Sequence, residues 1–210
     1  MPESVDQPVF REECYRCFRA RSVCICDRLP RINNRTGVIV LQHHREVLHP
    51  IGTARIARLG LSNVDVRVAQ RSDQLQVTNQ SIATPNHCSE TLARTALVYP
   101  HAKAVSLEEL DESQLPNHLI LLDGTWSQAS AMYRVNAWLH DLPHVVIRPD
   151  TQSNYRIRKQ PANGCLSTIE ALVYMLKHLE PATSGLDALL QVFDSMVDQQ
   201  LTHIDRQETK

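Results

Sequence analysis

An acid, a flexible residue, a hydroxyl and a large aromatic, Asp123-Gly124-Thr125-Trp126, follow directly on the apolar run of residues 118–122 (HLILL). Where a strand gives way to a helix, a carboxylate can accept a proton and an indole can cover a cationic or apolar ligand. The plainer alternative makes Asp123 or Thr125 a helix N-cap and Trp126 a core aromatic. A second segment of this character is residues 163–171 (NGCLSTIEA). There Ser167 or Thr168 can cap a helix with Glu170 close behind, and the backbone N–H groups of that turn can bind a carboxylate. Between the two lie Tyr155, Arg156, Arg158 and Lys159, three cations and an aromatic within five residues. Such a set suits phosphate contact and base stacking, or else a solvated charged loop.

Four of the six cysteines fall within thirteen positions, as Cys14-x-x-Cys17 and Cys24-x-Cys26. Two tight loops then supply four soft ligands, which zinc takes as a tetrahedron of thiolates at about 2.3 Å. With every position filled by protein, such a zinc is structural and activates no water. The Cys-x-Cys spacing of the second pair also leaves an iron–sulfur cluster open. Disulfides are disfavoured in the cytosol, where this chain is expected to work. Arg16 and Arg19 stand beside the cluster and are candidate phosphate contacts, whereas Cys88 and Cys165 read as lone core or loop residues. His43, His44 and His49 gather near Glu46 and are assigned no metal.

Elements must position these groups. Residues 36–42 (TGVIVLQ), 63–68, 92–99, 118–122 and 145–147 are short apolar or alternating runs that predict strands. Apolar residues three and four apart predict helices over 53–61 (ending at glycine), 126–139, 167–179 and 185–200. The β-α-β rhythm predicts an α/β fold with a mostly parallel sheet flanked by helices. In such sheets ligands bind beyond the carboxyl ends of the strands, so chemistry is expected after Tyr99, Leu122 and Ile147. The expected organisation is a flexible N-terminus (1–13), a small zinc-binding module (14–35), one α/β domain (36–200) and a polar tail (201–210). A net charge of −1 over 210 residues excludes a whole-molecule basic field, so any nucleic-acid contact must be a local patch. No run approaches the roughly 18 apolar residues of a membrane span, and the N-terminus shows no leader pattern, which predicts a cytoplasmic protein without membrane contact.

Taken together, the four cysteines, Gln42-His43 with Glu46, Tyr99-Pro100, Asp123-Gly124-Thr125-Trp126 and Leu166-Ser167-Thr168-Ile169-Glu170-Ala171 resemble the DTW-domain family in order and spacing. The likeness runs from about Cys14 to Leu179 and includes the Asp-x-Thr-Trp element intact. One departure is His43-His44-Arg45-Glu46, where the family more often has proline after the first histidine. The resemblance implies a tRNA-uridine aminocarboxypropyltransferase with a knotted, SPOUT-like core, an exception to the usual rule against knots. It further implies S-adenosylmethionine as co-substrate, tRNA as partner and no obligatory protein partner. Bacterial members act on a uridine of the tRNA variable loop, and eukaryotic relatives favour the D-loop.

By the same resemblance Trp126 and Thr168 hold the amino-acid end of the co-substrate. Tyr99, Pro100, Ala129, Leu166 and Ala171 frame its nucleoside, with Gly124, Thr125 and Ser167 completing the set. Asp123 is the candidate base for uridine N3, and Arg16, Arg19, Tyr155, Arg156, Arg158 and Lys159 are the candidate RNA contacts. Two alternatives stay open: a SPOUT-type RNA methyltransferase using the same donor, and a non-catalytic zinc-containing RNA-binding module. The first differs in its products, and the second is favoured if Asp123 is only a helix cap.

Overall fold

In a computed structural model that describes residues 12–69, 94–148, 153–157 and 166–208, the five apolar or alternating runs become strands and a sixth joins them in one sheet. These are β1 (Gly37–His43), β2 (Val64–Ala69), β3 (Thr95–Val98), β4 (Val105–Ser106), β5 (His118–Asp123) and β6 (His144–Val146). Their order is β2-β1-β5-β3-β6-β4, and every pairing is parallel. Four α-helices accompany them among the described residues: α1 (Thr53–Gly60), α2 (Trp126–Val135), α3 (Thr168–Leu179) and α4 (Leu186–Glu208).

The central strands β1, β3 and β5 are apolar on both faces because helices cover both. Val38, Val40, Ala96, Leu119 and Leu121 join the larger core with residues of α1, α3 and α4. Their neighbours in sequence, Ile39, Leu41, Leu97 and Ile120, point the other way, onto Met132 of α2 and Leu139. This period-two alternation makes three layers with the sheet in the middle. Leu189, Phe193, Met196 and Val197 recur at helical spacing along α4 and are buried.

Several elements differ from the sequence expectation. The helix expected over 126–139 stops at Val135, where the Asn136 side chain donates to the Met132 carbonyl at 2.7 Å and a 3-10 turn (Ala137–Asp141) follows. The two-residue strand β4 carries too short a pattern to read, and α4 continues past residue 200 through most of the stretch expected to be a polar tail. The four-cysteine module does not stand apart, for Cys14, Cys17 and Ile25 belong to the larger core. None of the described helices is long and apolar enough to cross a membrane.

The helix α1 ends at Gly60, as expected, and the glycine also serves for close approach. A Cβ there would lie 2.4 Å from Leu189 Cδ2, so glycine lets α1 pack tightly on α4. Gly60→Val is expected to destabilise the fold by about 1–3 kcal/mol through overpacking. The shift of the urea midpoint reads this directly, and an unmoved midpoint would mean that the two helices separate at no cost.

Candidate active site

Parallel pairing sets Gln42, near the end of β1, opposite Asp123, the last residue of β5. Gln42 Nε2 donates to Asp123 Oδ2 at 2.8 Å, Thr168 Oγ1 donates to Oδ1 at 2.7 Å, and Thr53 Oγ1 lies 3.5 Å from Oδ1. One strand end and two helix starts thus converge on a carboxylate that is 5% exposed. Three donors thus ring the Asp123 side chain, which lines the adjoining space.

That space is a cavity of about 1240 Å³ beyond the carboxyl ends of β3, β5 and β6, lined by Val98, Leu121 and Val146 of those strands. Its wall contains Tyr99, Pro100, Asp123, Gly124, Thr125, Trp126, Ala129, Leu166, Ser167, Thr168 and Ala171. All the candidate catalytic and co-substrate residues therefore meet in one place, as the strand-end rule predicts. Small-molecule sites usually measure roughly 300–1,000 Å³, so this one leaves room for a nucleotide beside a co-substrate.

The helix cap at the first motif is Thr125, not Asp123. Its hydroxyl accepts from the Gln128 N–H at 3.3 Å, and Gln128 Oε1 accepts from the Thr125 N–H at 2.6 Å. The space at Gly124 is tight, since a Cβ would lie 3.0 Å from Gln128 and 3.4 Å from His43 Cβ. Trp126 is 41% exposed and so is no core aromatic. At the second motif Ser167 is the cap, with Glu170 accepting its N–H at 2.8 Å. Glu170 also accepts from Ser153 Oγ and the Asn154 N–H, both at 2.7 Å, which ties the neighbouring chain to the cavity wall. Tyr99 stacks on Tyr133 with centroids 4.5 Å apart, fixing its ring at the rim. After β1 the departing segment His44–Glu46 forms a 3-10 turn, in which His43 Nδ1 accepts from the Arg45 N–H.

The candidate RNA contacts divide differently. Arg16 is exposed. Arg19 is buried and donates to Gln199 Oε1 at 3.3 Å, so it does not meet phosphate. Tyr155 is also buried: its hydroxyl donates to the Ile51 carbonyl at 3.1 Å and its ring meets Phe193 edge-on, so it is a wall of the cavity and not a stacking platform. Arg156 is engaged by Asp198 of α4 and by Asn154. Arg158, Lys159, Cys88 and Cys165 lie outside the described residues. Sequence reasoning missed Thr53, Glu46 and Arg148 as cavity residues, and Gln42 as the partner of Asp123. For Gln42 the signal was its place near the end of the first strand, but the pairing of β1 with β5 is not written locally.

The cysteine sulfurs all lie within 4.8 Å of one another, with Cys14 to Cys26 and Cys17 to Cys24 each at 3.7 Å. A tetrahedron with bonds of about 2.3 Å has edges of about 3.8 Å, so the four sulfurs fit a thiolate-bound metal. Backbone N–H groups of Cys17 and Arg16 pull the Cys14 thiol down to about 6, while burial pushes the Cys26 thiol up. Crowded thiolates need a cation between them. The cluster has the geometry to hold a metal ion.

The DTW domain family model matches residues 11–201. The chain is 33% identical over 207 residues to tRNA-uridine aminocarboxypropyltransferase 2 of Drosophila melanogaster, covering 94% of this chain and 78% of the relative. It is 34% identical over 200 residues to the protein of that name from Mus musculus, covering 92% of this chain and 65% of the relative. Against tRNA-uridine aminocarboxypropyltransferase A of Arabidopsis thaliana it is 26% identical over 226 residues, covering 94% and 84%. The chain thus spans just under two thirds of the mouse relative's own length. No solved structure matches this chain.

Proposed function

Because the chain belongs to the DTW domain family, we propose that it is a transferase that moves the 3-amino-3-carboxypropyl group of S-adenosylmethionine onto N3 of a tRNA uridine. The observation that carries this reading is the single cavity in which Asp123 and the candidate co-substrate residues meet. The proposal extends to a uridine of the variable loop, as in the bacterial type, and to work in the cytoplasm.

S-adenosylmethionine supplies a carbon chain already activated by its sulfonium. Trp126 and Thr168 hold the amino-acid end, while Tyr99, Pro100, Ala129, Leu166 and Ala171 frame the nucleoside, with Gly124, Thr125 and Ser167 shaping the turns between them. Asp123 accepts the N3 proton of uridine as N3 bonds to the chain's terminal methylene. The carbon–sulfur bond breaks with its electron pair on sulfur, methylthioadenosine leaves, and the proton passes from Asp123 to solvent. Holding base and methylene together supplies much of the acceleration. Zinc is the metal proposed for Cys14, Cys17, Cys24 and Cys26, in a structural role. A knotted, SPOUT-like chain path is part of the proposal, supported by the all-parallel sheet with β5 inserted between β1 and β3.

The test is to incubate the protein with unmodified tRNA and S-adenosylmethionine, digest the RNA and weigh its nucleosides. A uridine heavier by one aminocarboxypropyl group, with methylthioadenosine released, is expected. A methylated nucleoside with S-adenosylhomocysteine would instead favour the methyltransferase, and an unchanged RNA that still binds would favour the non-catalytic module.

A further inference from the structure

Among the described residues Tyr15 is the most exposed of the large hydrophobic side chains, at 87%. It sits between two cysteines of the cluster, on a turn closed by hydrogen bonds from the Phe18 N–H to the Cys14 carbonyl (2.7 Å) and from the Cys14 N–H to the Arg19 carbonyl (2.8 Å). A bridge between Glu13 and Ala20 braces the base of that turn. The ring is therefore carried on a stiff support in full contact with water, an arrangement that contributes nothing to the core.

Phe18, three residues on, is 39% exposed and has φ of +51°, a left-handed conformation that L side chains adopt only at a cost. Glycine would hold this turn without strain, so what Phe18 adds is its ring. The Arg55 and Arg58 guanidinium groups lie over it, 5.3 and 6.0 Å from its centroid, and Arg58 also donates to the Arg16 carbonyl at 3.4 Å. Both arginines belong to α1, whose first residue, Thr53, lies beside the Asp123 carboxylate. A rise of about 1.5 Å per residue sets Arg58 about 7.5 Å along the helix from Thr53. The exposed aromatic edge and the cavity are thus joined by one short, rigid element.

We propose that this edge, Tyr15 with Arg16, Phe18 and Arg58, is a docking ledge for unpaired nucleotides of the substrate RNA. Tyr15 stacks on a base next to the target uridine, and the exposed Arg16 and Arg58 meet the adjoining phosphates. Glu12 and Glu13 are also exposed nearby and repel phosphate on that side, which confines the strand to the arginine side of the ring. The ledge rests on the reading of the cavity as an RNA-modifying site, since a uridine inserted there leaves its neighbours in the strand just outside.

The test compares the metal-loaded full chain with Tyr15→Ala, Tyr15→Phe and Tyr15→Trp, titrating each with unmodified tRNA and with a single-stranded oligouridylate. Tyr15→Ala is expected to bind both about tenfold more weakly, the aromatic replacements close to the parent. Metal content, melting temperature and S-adenosylmethionine affinity should stay as in the parent. In turnover the loss should fall on KM for RNA and leave kcat alone. Parent-like binding of both RNAs by Tyr15→Ala overturns the ledge while leaving the reaction untouched. Tyr15-dependent binding without aminocarboxypropyl transfer upholds the ledge and overturns the reaction, and a parent chain that binds neither RNA overturns both.

Discussion

Replacing Asp123 by Asn is expected to lower aminocarboxypropyl transfer to tRNA by about 10²–10⁴-fold, the usual contribution of a positioned general base. The substitution keeps the size of the side chain and one acceptor oxygen, and the hydroxyl of Thr168 can turn to accept from the new amide. The strand end and the two helix starts that meet there should hold together, because Gln42 and Thr53 can also re-pair. What is lost is the carboxylate oxygen proposed to take the proton, since an amide is no base. S-adenosylmethionine binding should change little, since the residues proposed to hold its amino-acid and nucleoside ends are others. Single-turnover reactions, read as the mass of the digested nucleosides, measure the effect. An Asn variant with undiminished single-turnover yield would remove Asp123 from the role of base.

Removing the metal should have the second large effect, on stability. Stripping it with a chelator, or replacing Cys17 by Ala, is expected to cost about 4 kcal/mol, well within what structural zinc sites supply. For a chain of this size that lowers the melting temperature by about 10 °C. Cys14, Cys17 and Ile25 share a core with α1, α3 and α4, so the loss should spread through the domain as one transition. Elemental analysis should find one zinc per native chain and none in the variant. Visible absorbance of an iron–sulfur cluster would correct the metal, and a melting temperature indifferent to chelation would refute the structural role.

The arginines and the tyrosine proposed as RNA contacts show where reading a sequence stops. Arg19, Tyr155 and Arg156 have the residue types that bind nucleic acid, and each lies within two residues of another arginine. Yet Arg19 is buried against Gln199 and Tyr155 against Ile51 and Phe193, while Arg156 stays exposed in an ion pair with Asp198. These partners lie far off in the sequence, most of them on α4, and no local pattern announces them. Burial depends on which helix covers a residue, and a helix docks through its whole apolar stripe.

By itself the sequence determined the α/β class, the order of most elements, the four-cysteine cluster and many of the residues that wall the cavity. These features are local: period-two and helical patterns, caps a few residues long, and ligands paired within two tight loops. Only the tertiary structure decided that Gln42, Thr53 and Thr168 converge on Asp123, that Thr125 is the cap and Trp126 open to solvent, and that Gly60 lets two helices meet. The physical reason is that register between strands distant in the chain is set by the whole buried face of the sheet, so a hydrogen bond such as that from Gln42 to Asp123 exists only once every layer has packed.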